Sequence, residues 1–415
     1  MGRHDRRGGG AYPVHVPRLL RLVDLSRLPV GEAVSLLRRA LDGEGDALLP
    51  GPDGHPADLN LAPGTALRPG EDDADDPTAV VLSTSGSTGP AKGALLQRSA
   101  LTASATATHE RLGGAGTWLL ALTPHHVAGV QVLVRSSLAG TEPEVLDLAD
   151  GFTADGFVRA TQRLQARAGG PAYTALVPTQ LLRLLDAGPV AARALSSYDG
   201  VLVGAAATPD RLLARAHDAG ARVVTTYGMS ETAGGCVYDG TPLTGVRTAV
   251  GEDGRVLLGG AVVARGYRLK PAAPQFTVAE GTRWFATSDL GVLREGRLQV
   301  TGRADDVIVT GGLKVEPALV EAVLTSLDPV AEAVVVGVPD EQWGQVVVAV
   351  VVAADLLRAP SLPDLRSAVT ERLGSAAAPR RLVLVDALPL RGPGKPDRAA
   401  AAALAAGTAA GTAAG

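Results

Sequence analysis

Residues 83–93 read STSGSTGPAKG and follow directly on the apolar, strand-like stretch Ala79–Leu82. Glycines there let backbone N–H groups approach an anion, the Ser and Thr hydroxyls add donors, and Lys92 supplies a compact positive charge. The segment therefore has the makings of a phosphate cradle. The same composition also describes a flexible linker, and the two readings stay open on this segment alone. It is not a Walker loop, because the glycine spacing from Gly86 to Lys92 is wrong and no Ser or Thr follows the lysine.

Downstream of the loop, short apolar runs alternate with helical patterns as far as about residue 230. Trp118–Leu122, Glu144–Leu146, Tyr173–Val177, Val201–Gly204 and Val223–Tyr227 read as strands, whereas Val127–Ser137, Thr153–Arg167, Thr179–Asp186 and Pro209–Asp218 read as helices. Such alternation predicts an α/β sheet with helices on its faces. After residue 235 short strands with glycine turns predict a β-rich subdomain. Beyond Arg303 the order is strand Val307–Thr310, helix Pro317–Leu327, strands Ala333–Gly337 and Val346–Val352, helix Leu362–Leu373 and strand Arg381–Val385, a small α+β domain. The final AAALAAGTAAGTAAG is low in complexity, with only methyl groups to bury, and is left out of the expected fold together with the first ten residues.

At 415 residues the chain exceeds what one hydrophobic core usually serves, so two or more domains are expected. A formal charge of −4 argues against a general polyanion binder, and an aromatic content of 3% argues against nucleic-acid reading by stacked rings. Cys236 is the single cysteine, so neither an intrachain disulfide nor a cysteine-rich metal site is available. MGRHDRRGGG at the start is basic, yet no apolar core of about 7–15 residues follows it as in a secretory signal. The longest apolar run, Val346–Ala354, is far short of the roughly 20 residues of a membrane helix. These features predict a cytoplasmic protein without stable membrane insertion. Arginine outnumbers lysine 35 to 4, and three of the four lysines, Lys92, Lys314 and Lys395, sit beside or close to glycines.

Four more segments carry polar residues and glycines that packing does not explain. TTYGMSET (225–232) closes a predicted strand, where ligands collect in α/β sheets; Tyr227 offers a flat face for a base, Ser230 a hydroxyl for phosphate and Glu231 a hard carboxylate suited to Mg²⁺. A turn with a helix cap is the structural alternative. WFATSDLG (284–291) places Asp289 where it could accept two ribose hydroxyls or simply form a turn. GRADDVIVTGGLKVEP (302–317) combines Arg303 and the Asp305–Asp306 pair with a glycine pair, either a charged hinge or a solvated linker with a tight hairpin. PLRGPGKPDR (389–398) is an exposed loop around Lys395.

In sequence and in succession these five segments, spanning residues 79–398, resemble the motifs of the adenylate-forming superfamily of acyl-CoA ligases, peptide-synthetase adenylation domains and luciferases. The resemblance implies a large N-terminal α/β domain with a β-rich subdomain over residues 11–302, a small mobile C-terminal α+β domain over 303–398, and a tail over 399–415. It implies ATP, Mg²⁺ and CoA as reactants and cofactor, with a small-molecule carboxylic acid as the other substrate. A carboxylate attacks the α-phosphate of ATP, and a thiol captures the acyl-adenylate after the small domain rotates. By motif position Ser85, Gly86, Ser87, Thr88, Gly89 and Lys92 would hold the β- and γ-phosphates, Ser230 the α-phosphate and Glu231 the Mg²⁺. Tyr227 would line the adenine pocket, with Asp289 and Arg303 at the ribose. Lys395 would neutralise charge developing at the reacting carboxylate, Asp305 would be the hinge, and Gly311 and Gly312 would flank the CoA channel.

Within the superfamily, TPHHVAGVQVLVRS (123–136), ALVPTQLLRLL (175–185) and GGCVYDGTPLTGV (234–246) resemble the o-succinylbenzoate–CoA ligase branch, which serves menaquinone biosynthesis. His126 matches the histidine that gates the acyl pocket, or caps a helix. The substrate keeps a second carboxylate, for which Arg135, placed after the apolar run Val132–Val134, is the candidate cation, an ordinary surface arginine being the alternative. Gly204, in GAAATP after Val203, would bring the backbone close to the acyl group, although a second glycine is common there. Little sequence precedes the phosphate loop, so part of the usual N-terminal subdomain is expected to be missing. Ligation of another aryl or fatty acid, a non-catalytic nucleotide-binding relative, and a homodimer are left open.

Overall fold

The computed structural model describes residues 17–52, 61–84, 92–167, 169–390 and 396–411. Among these the chain forms four sheets. The first pairs Leu20–Val23, Ala47–Pro50 and Thr78–Thr84 in parallel and adds Lys92–Gln97 antiparallel. Its parallel first step needs a crossover, which the amphipathic helix Val30–Leu41 supplies by burying Ala33, Leu37, Ala40 and Leu41. The region before residue 83 thus builds a strand–helix–strand unit that no motif in the sequence announced.

The central sheet runs Thr241–Pro242, Gly234–Tyr238, Val223–Met229, Gly200–Val203, Ala172–Leu176, Thr117–Leu120, Glu144–Val145 in spatial order. It is parallel from Val223–Met229 to Glu144–Val145, as the alternating pattern predicts, and antiparallel at its other edge. Successive residues feed opposite faces: Trp118 and Leu120 enter one core with the helix Val127–Ala139, while Leu119 and Ala121 enter another with Phe157, Leu164 and Leu181. The helix Arg98–Leu112 went unread in the sequence because it has no apolar stripe; it buries Ser104, Thr108 and His109 as well as Ala100, Leu101 and Ala105.

A third sheet, Val246–Val250, Arg255–Gly260, Thr282–Arg294 and Phe276–Ala279 with Arg297–Arg303 paired to the long strand, is the expected β-rich part. The fourth contains Leu313–Val315, Ile308–Thr310, Gly344–Ala353, Val330–Asp340 and Arg381–Leu384. Here the low-complexity tail needs correction. Arg398–Gly411 is a helix, and Ala401 and Ala405 are fully buried against Val334, Val336, Val348 and Leu388. Val347, Ala349 and Val351 face the helices Pro317–Thr325 and Leu362–Leu373, whereas Val346, Val348 and Val350 face the alanine helix. A valine strand buried on both sides needs a second cover. Alanine, the strongest helix former, supplies a flat one at i, i+4 spacing.

Candidate active site at the ends of the central sheet

The strand Val223–Met229 ends in one turn of 3₁₀ helix, Ser230–Thr232, and reverses into Gly234–Tyr238. The reversal is so tight that a Cβ on Gly228 would lie 2.1 Å from the Gly234 carbonyl oxygen. On the facing sheet the register of the Thr282–Arg294 and Arg297–Arg303 strands puts Asp289 opposite Arg303. Three of the sequence candidates therefore meet. The Tyr227 hydroxyl donates to Asp289 Oδ2 at 2.7 Å, and Arg303 Nη1 donates to Asp289 Oδ1 at 3.0 Å. Asp289 is buried, and burial followed by its charge pushes the Tyr227 phenol well above the ordinary value. Tyr227 thus presents its hydroxyl to the carboxylate.

A second convergence joins Glu231 and Lys92 through a residue the sequence reading passed over. Tyr267, in ARGYRL, donates its hydroxyl to Glu231 Oε1 at 2.7 Å, and Lys92 Nζ stands 5.1 Å from the centroid of the same ring. Both Glu231 and Tyr267 are buried. Burial and the Glu231 charge keep this phenol protonated, so it remains a donor. Among the described residues no group of three or more His, Cys, Asp or Glu side chains could hold a metal. A single buried carboxylate fits Mg²⁺ only in the manner typical of nucleotide enzymes, in which substrate phosphates and water complete the shell.

Ser85, Gly86, Ser87, Thr88 and Gly89 lie outside the described residues. Their flanks do not belong to a linker between domains: Ser83 pairs with Gly93 and Thr84 with Lys92 in one antiparallel ladder. Lys395 also lies outside them, between Leu390 and Pro396, which form a bridge; Asp397 N–H then donates to the Pro389 carbonyl at 2.8 Å. Ser230 is half-buried at the head of the 3₁₀ turn.

Arg135 and His126 share the helix that covers the front of the sheet. His126 is the exposed N-cap residue of Val127–Ala139 and makes no side-chain capping bond, so the capping alternative does not account for it. Arg135 is 3% exposed. Its guanidinium lies 4.9 Å from the Trp118 ring, its Nη2 is 3.4 Å from the Tyr238 hydroxyl, and its Nε is buried without a hydrogen-bond partner. Among the described residues no carboxylate pairs with it. Burial disfavours its charged form, and the neighbouring His109 is held below its ordinary pKa, first by burial and then by Arg135. One turn earlier, Gln131 bonds to the carbonyl oxygens of Leu101 and Ala233, with Oε1 left without a partner. Cys236 is fully buried with its thiol pushed up to about 12, consistent with a packing residue.

Gly204 ends the strand Gly200–Val203, where a Cβ would lie 2.3 Å from Thr226 Oγ1. The next residue, Ala205, has φ +70°, a conformation suited to glycine, at the place where the sequence departs from a second glycine. Gly311 and Gly312, at φ +56° and +79°, make the two-residue turn of the Ile308–Thr310 and Leu313–Val315 hairpin. Trp343 packs against Gly311 so closely that a Cβ there would meet its ring at 2.8 Å, and Arg380 stacks on Trp343 at 4.0 Å. Neither Trp343 nor Arg380 carried a motif signal. Asp305 is exposed in the 3₁₀ turn Ala304–Asp306; before it Arg303 bonds to Asp289, and after it Asp306 binds Arg398, which also holds Glu321. Asp305 is thus the junction between two separately anchored neighbours.

The sequence profile of AMP-binding enzymes matches residues 37–268, and that of the AMP-binding enzyme C-terminal domain matches residues 319–395. A probable 2-succinylbenzoate–CoA ligase of Mycobacterium tuberculosis is 47% identical over 380 residues, covering 90% of this chain and 96% of that protein. Among solved structures, the o-succinylbenzoate CoA synthetase of Bacillus subtilis in complex with its acyl-adenylate intermediate superposes with a TM-score of 0.69 at 26% identity, over 92% of this chain and 82% of that one. The same enzyme in complex with ATP and magnesium ion gives a TM-score of 0.68 at 25% identity, over 91% and 83%.

Proposed function

The chain belongs to the AMP-binding enzyme family, and from that premise we propose that it is an AMP-forming acid–thiol ligase that converts 2-succinylbenzoate, ATP and CoA into 2-succinylbenzoyl-CoA, AMP and pyrophosphate. The observation that carries this reading is the 47% identity to a probable 2-succinylbenzoate–CoA ligase across nearly the whole of both chains. In the first step a carboxylate oxygen of the acid attacks the α-phosphorus, and the bond to pyrophosphate breaks. In the second the CoA sulfur, having lost its proton, attacks the acyl carbon and AMP leaves.

Asp289 accepts hydrogen bonds from the ribose hydroxyls, with Tyr227 and Arg303 holding the carboxylate in place. Lys92 and the residues Ser85 to Gly89 hold the terminal phosphates, and Ser230 holds the α-phosphate. Glu231 contributes one hard oxygen ligand for Mg²⁺, which when bound neutralises phosphate charge. Lys395 stabilises charge building between the attacking carboxylate and the α-phosphate, and rotation about Asp305 then brings the Gly311–Gly312 turn, with Trp343 beside it, to the CoA thiol. This places residues 303–398, with the terminal helix, in the mobile unit. His126 stands at the mouth of the acyl pocket, and Gly204 lets the backbone approach the acyl group.

Arg135 supports the choice of acid. A buried guanidinium with no carboxylate beside it among the described residues is best completed by a substrate that keeps one carboxylate after the other has reacted. A fatty acid would leave it as it is. Glu231, Asp289 and Lys395 are all retained, which favours catalysis over nucleotide binding alone. Among the described residues no helix is long and apolar enough to cross a membrane, which agrees with action in the cytoplasm.

The test is pyrophosphate release with ATP and Mg²⁺ across 2-succinylbenzoate, benzoate and medium-chain fatty acids, followed by mass detection of the CoA product. Turnover of 2-succinylbenzoate well above the others is expected; no preference for it removes this reading. Lys395→Ala is expected to lower adenylation by about 10²–10³-fold while sparing thioester formation from preformed acyl-adenylate. Equal loss of both half-reactions would remove the role given to Lys395.

A further inference from the structure

Tyr267 meets both groups assigned to the phosphates and their metal. Its hydroxyl is 2.7 Å from Glu231 Oε1, and its ring carries the Lys92 ammonium at 5.1 Å. Its own position is fixed on every side. Leu95 N–H donates to the Gly266 carbonyl at 2.9 Å and Arg268 N–H to the Gly93 carbonyl at 2.7 Å, so the backbone is clamped to the Lys92–Gln97 strand on both sides of the tyrosine. Arg268 is locked in turn by a buried ion pair with Glu71 and bonds to Thr65 Oγ1 and the Ala66 carbonyl. The ring packs edge-on against Phe276 with centroids 5.1 Å apart. Gly93, one residue after Lys92, has no room for a Cβ, which would sit 2.5 Å from Leu61 and 2.7 Å from Val81.

We propose that Tyr267 is a positioning residue for metal-nucleotide binding: its hydroxyl orients the Glu231 carboxylate toward the metal while its ring face holds Lys92 on the phosphate side of the same site. The physical logic is that of an outer-layer partner of a metal ligand. A donated hydrogen bond to one carboxylate oxygen fixes the rotation of the group. The ring at the same time offers the ammonium an attractive resting place that is not the carboxylate itself. One rigid tyrosine thereby keeps an anion and a cation distinct although both address the same phosphates. This rests on the metal role given to Glu231 above.

The experiment compares full-length wild type, Tyr267→Phe, Tyr267→Leu and Glu231→Gln. ATP affinity is measured by calorimetry with excess EDTA, and Mn²⁺ affinity in the presence of ATP by electron paramagnetic resonance. Melting temperatures check that each variant is folded. Tyr267→Phe is expected to weaken Mn²⁺ binding about 10-fold while leaving metal-free ATP binding within about twofold of wild type. Tyr267→Leu, which also removes the ring face, is expected to weaken both. Unchanged Mn²⁺ affinity in Tyr267→Phe, beside a loss in Glu231→Gln, would overturn the role of Tyr267 and leave the metal reading standing. Unchanged affinity in Glu231→Gln as well would overturn the metal reading. A Tyr267→Phe variant that loses ATP affinity equally with and without metal would show general packing rather than positioning, and would also overturn the proposal.

Discussion

Arg303 and Arg135, the two arginines proposed to serve the substrates, stand in opposite electrostatic circumstances. Arg303 has a side chain 44% exposed and is paired with Asp289 at 3.0 Å and Asp305 at 3.5 Å. Arg135 is enclosed by Trp118 and Tyr238 and meets no carboxylate among the described residues. In the proposed roles, the arginine at the nucleotide end is balanced from within the protein, whereas the one assigned to the acyl end meets no carboxylate among the described residues. That difference suits the two substrates. ATP brings its own metal and many contacts, but the second carboxylate of a dicarboxylic acid distinguishes it from simpler acids only if the protein withholds a partner from its cation.

The sharpest way to break the comparison is Arg135→Met. Turnover of 2-succinylbenzoate, measured as kcat/KM, is expected to fall about 100-fold or more, as when one member of a buried charge pair is truncated. Benzoate, which lacks the second carboxylate, should be affected little. Stability should move the other way: replacing an unmatched buried charge with an apolar side chain of similar length is expected to raise the unfolding free energy by about 1–4 kcal/mol in denaturant titration. Equal loss for both acids, or a fall in stability, would refute the view of Arg135 as a cation held for the substrate.

Arg303→Met probes the balanced end. ATP binding measured by calorimetry is expected to weaken about 10-fold, the effect of one lost hydrogen bond involving charged groups. Stability should change by less than about 1 kcal/mol, because the pair is partly in water. A loss of several kcal/mol would mean that the Asp289 pairing supports the fold rather than the site.

The smallest effect concerns His109, which lies beside Arg135 and is held neutral by burial and that charge. Below its ordinary value of about 6.5 the unfolded chain takes up a proton that the folded chain resists. This histidine's contribution to stability is therefore full above that value and declines as pH falls toward its lowered folded value. Thermal unfolding between pH 5 and 7 should show a slope that His109→Phe flattens. An unchanged slope would mean that Arg135 has no detectable influence on its neighbour.

Much of the balanced end was legible. TTYGMSET reads as a ligand-bearing strand end because it combines strand periodicity with a glycine turn, and Asp289 and Arg303 come together through local hairpin register. Arg135 was legible as a cation following an apolar run, but not as one without a protein counter-charge; that depends on what Thr117–Leu120 and Gly234–Tyr238 place around it. Tyr267 was missed because nothing within its own segment marks it out: its meaning comes from Glu231, 36 residues earlier, and from Lys92. The terminal alanines were misread because low complexity ordinarily signals a chain with nothing to bury. Here their smallness is what lets Ala401 and Ala405 lie flat on a valine sheet.

By itself the sequence determined the chemistry on offer: the five parallel strands of the central sheet and four of the helices beside them, the family to which the motifs belong, and the residue types suited to a nucleotide. Those are local properties, fixed by periodicity, turn geometry and the functional groups at each position. Only the tertiary structure decided which charges find a partner among the described residues, that Tyr267 stands against both Glu231 and Lys92, and that the second face of the C-terminal sheet is closed by the chain's own last helix. Each depends on contacts between residues far apart in sequence, such as the 197-residue span from Glu71 to Arg268, whose strength comes from exclusion of water rather than from any local pattern.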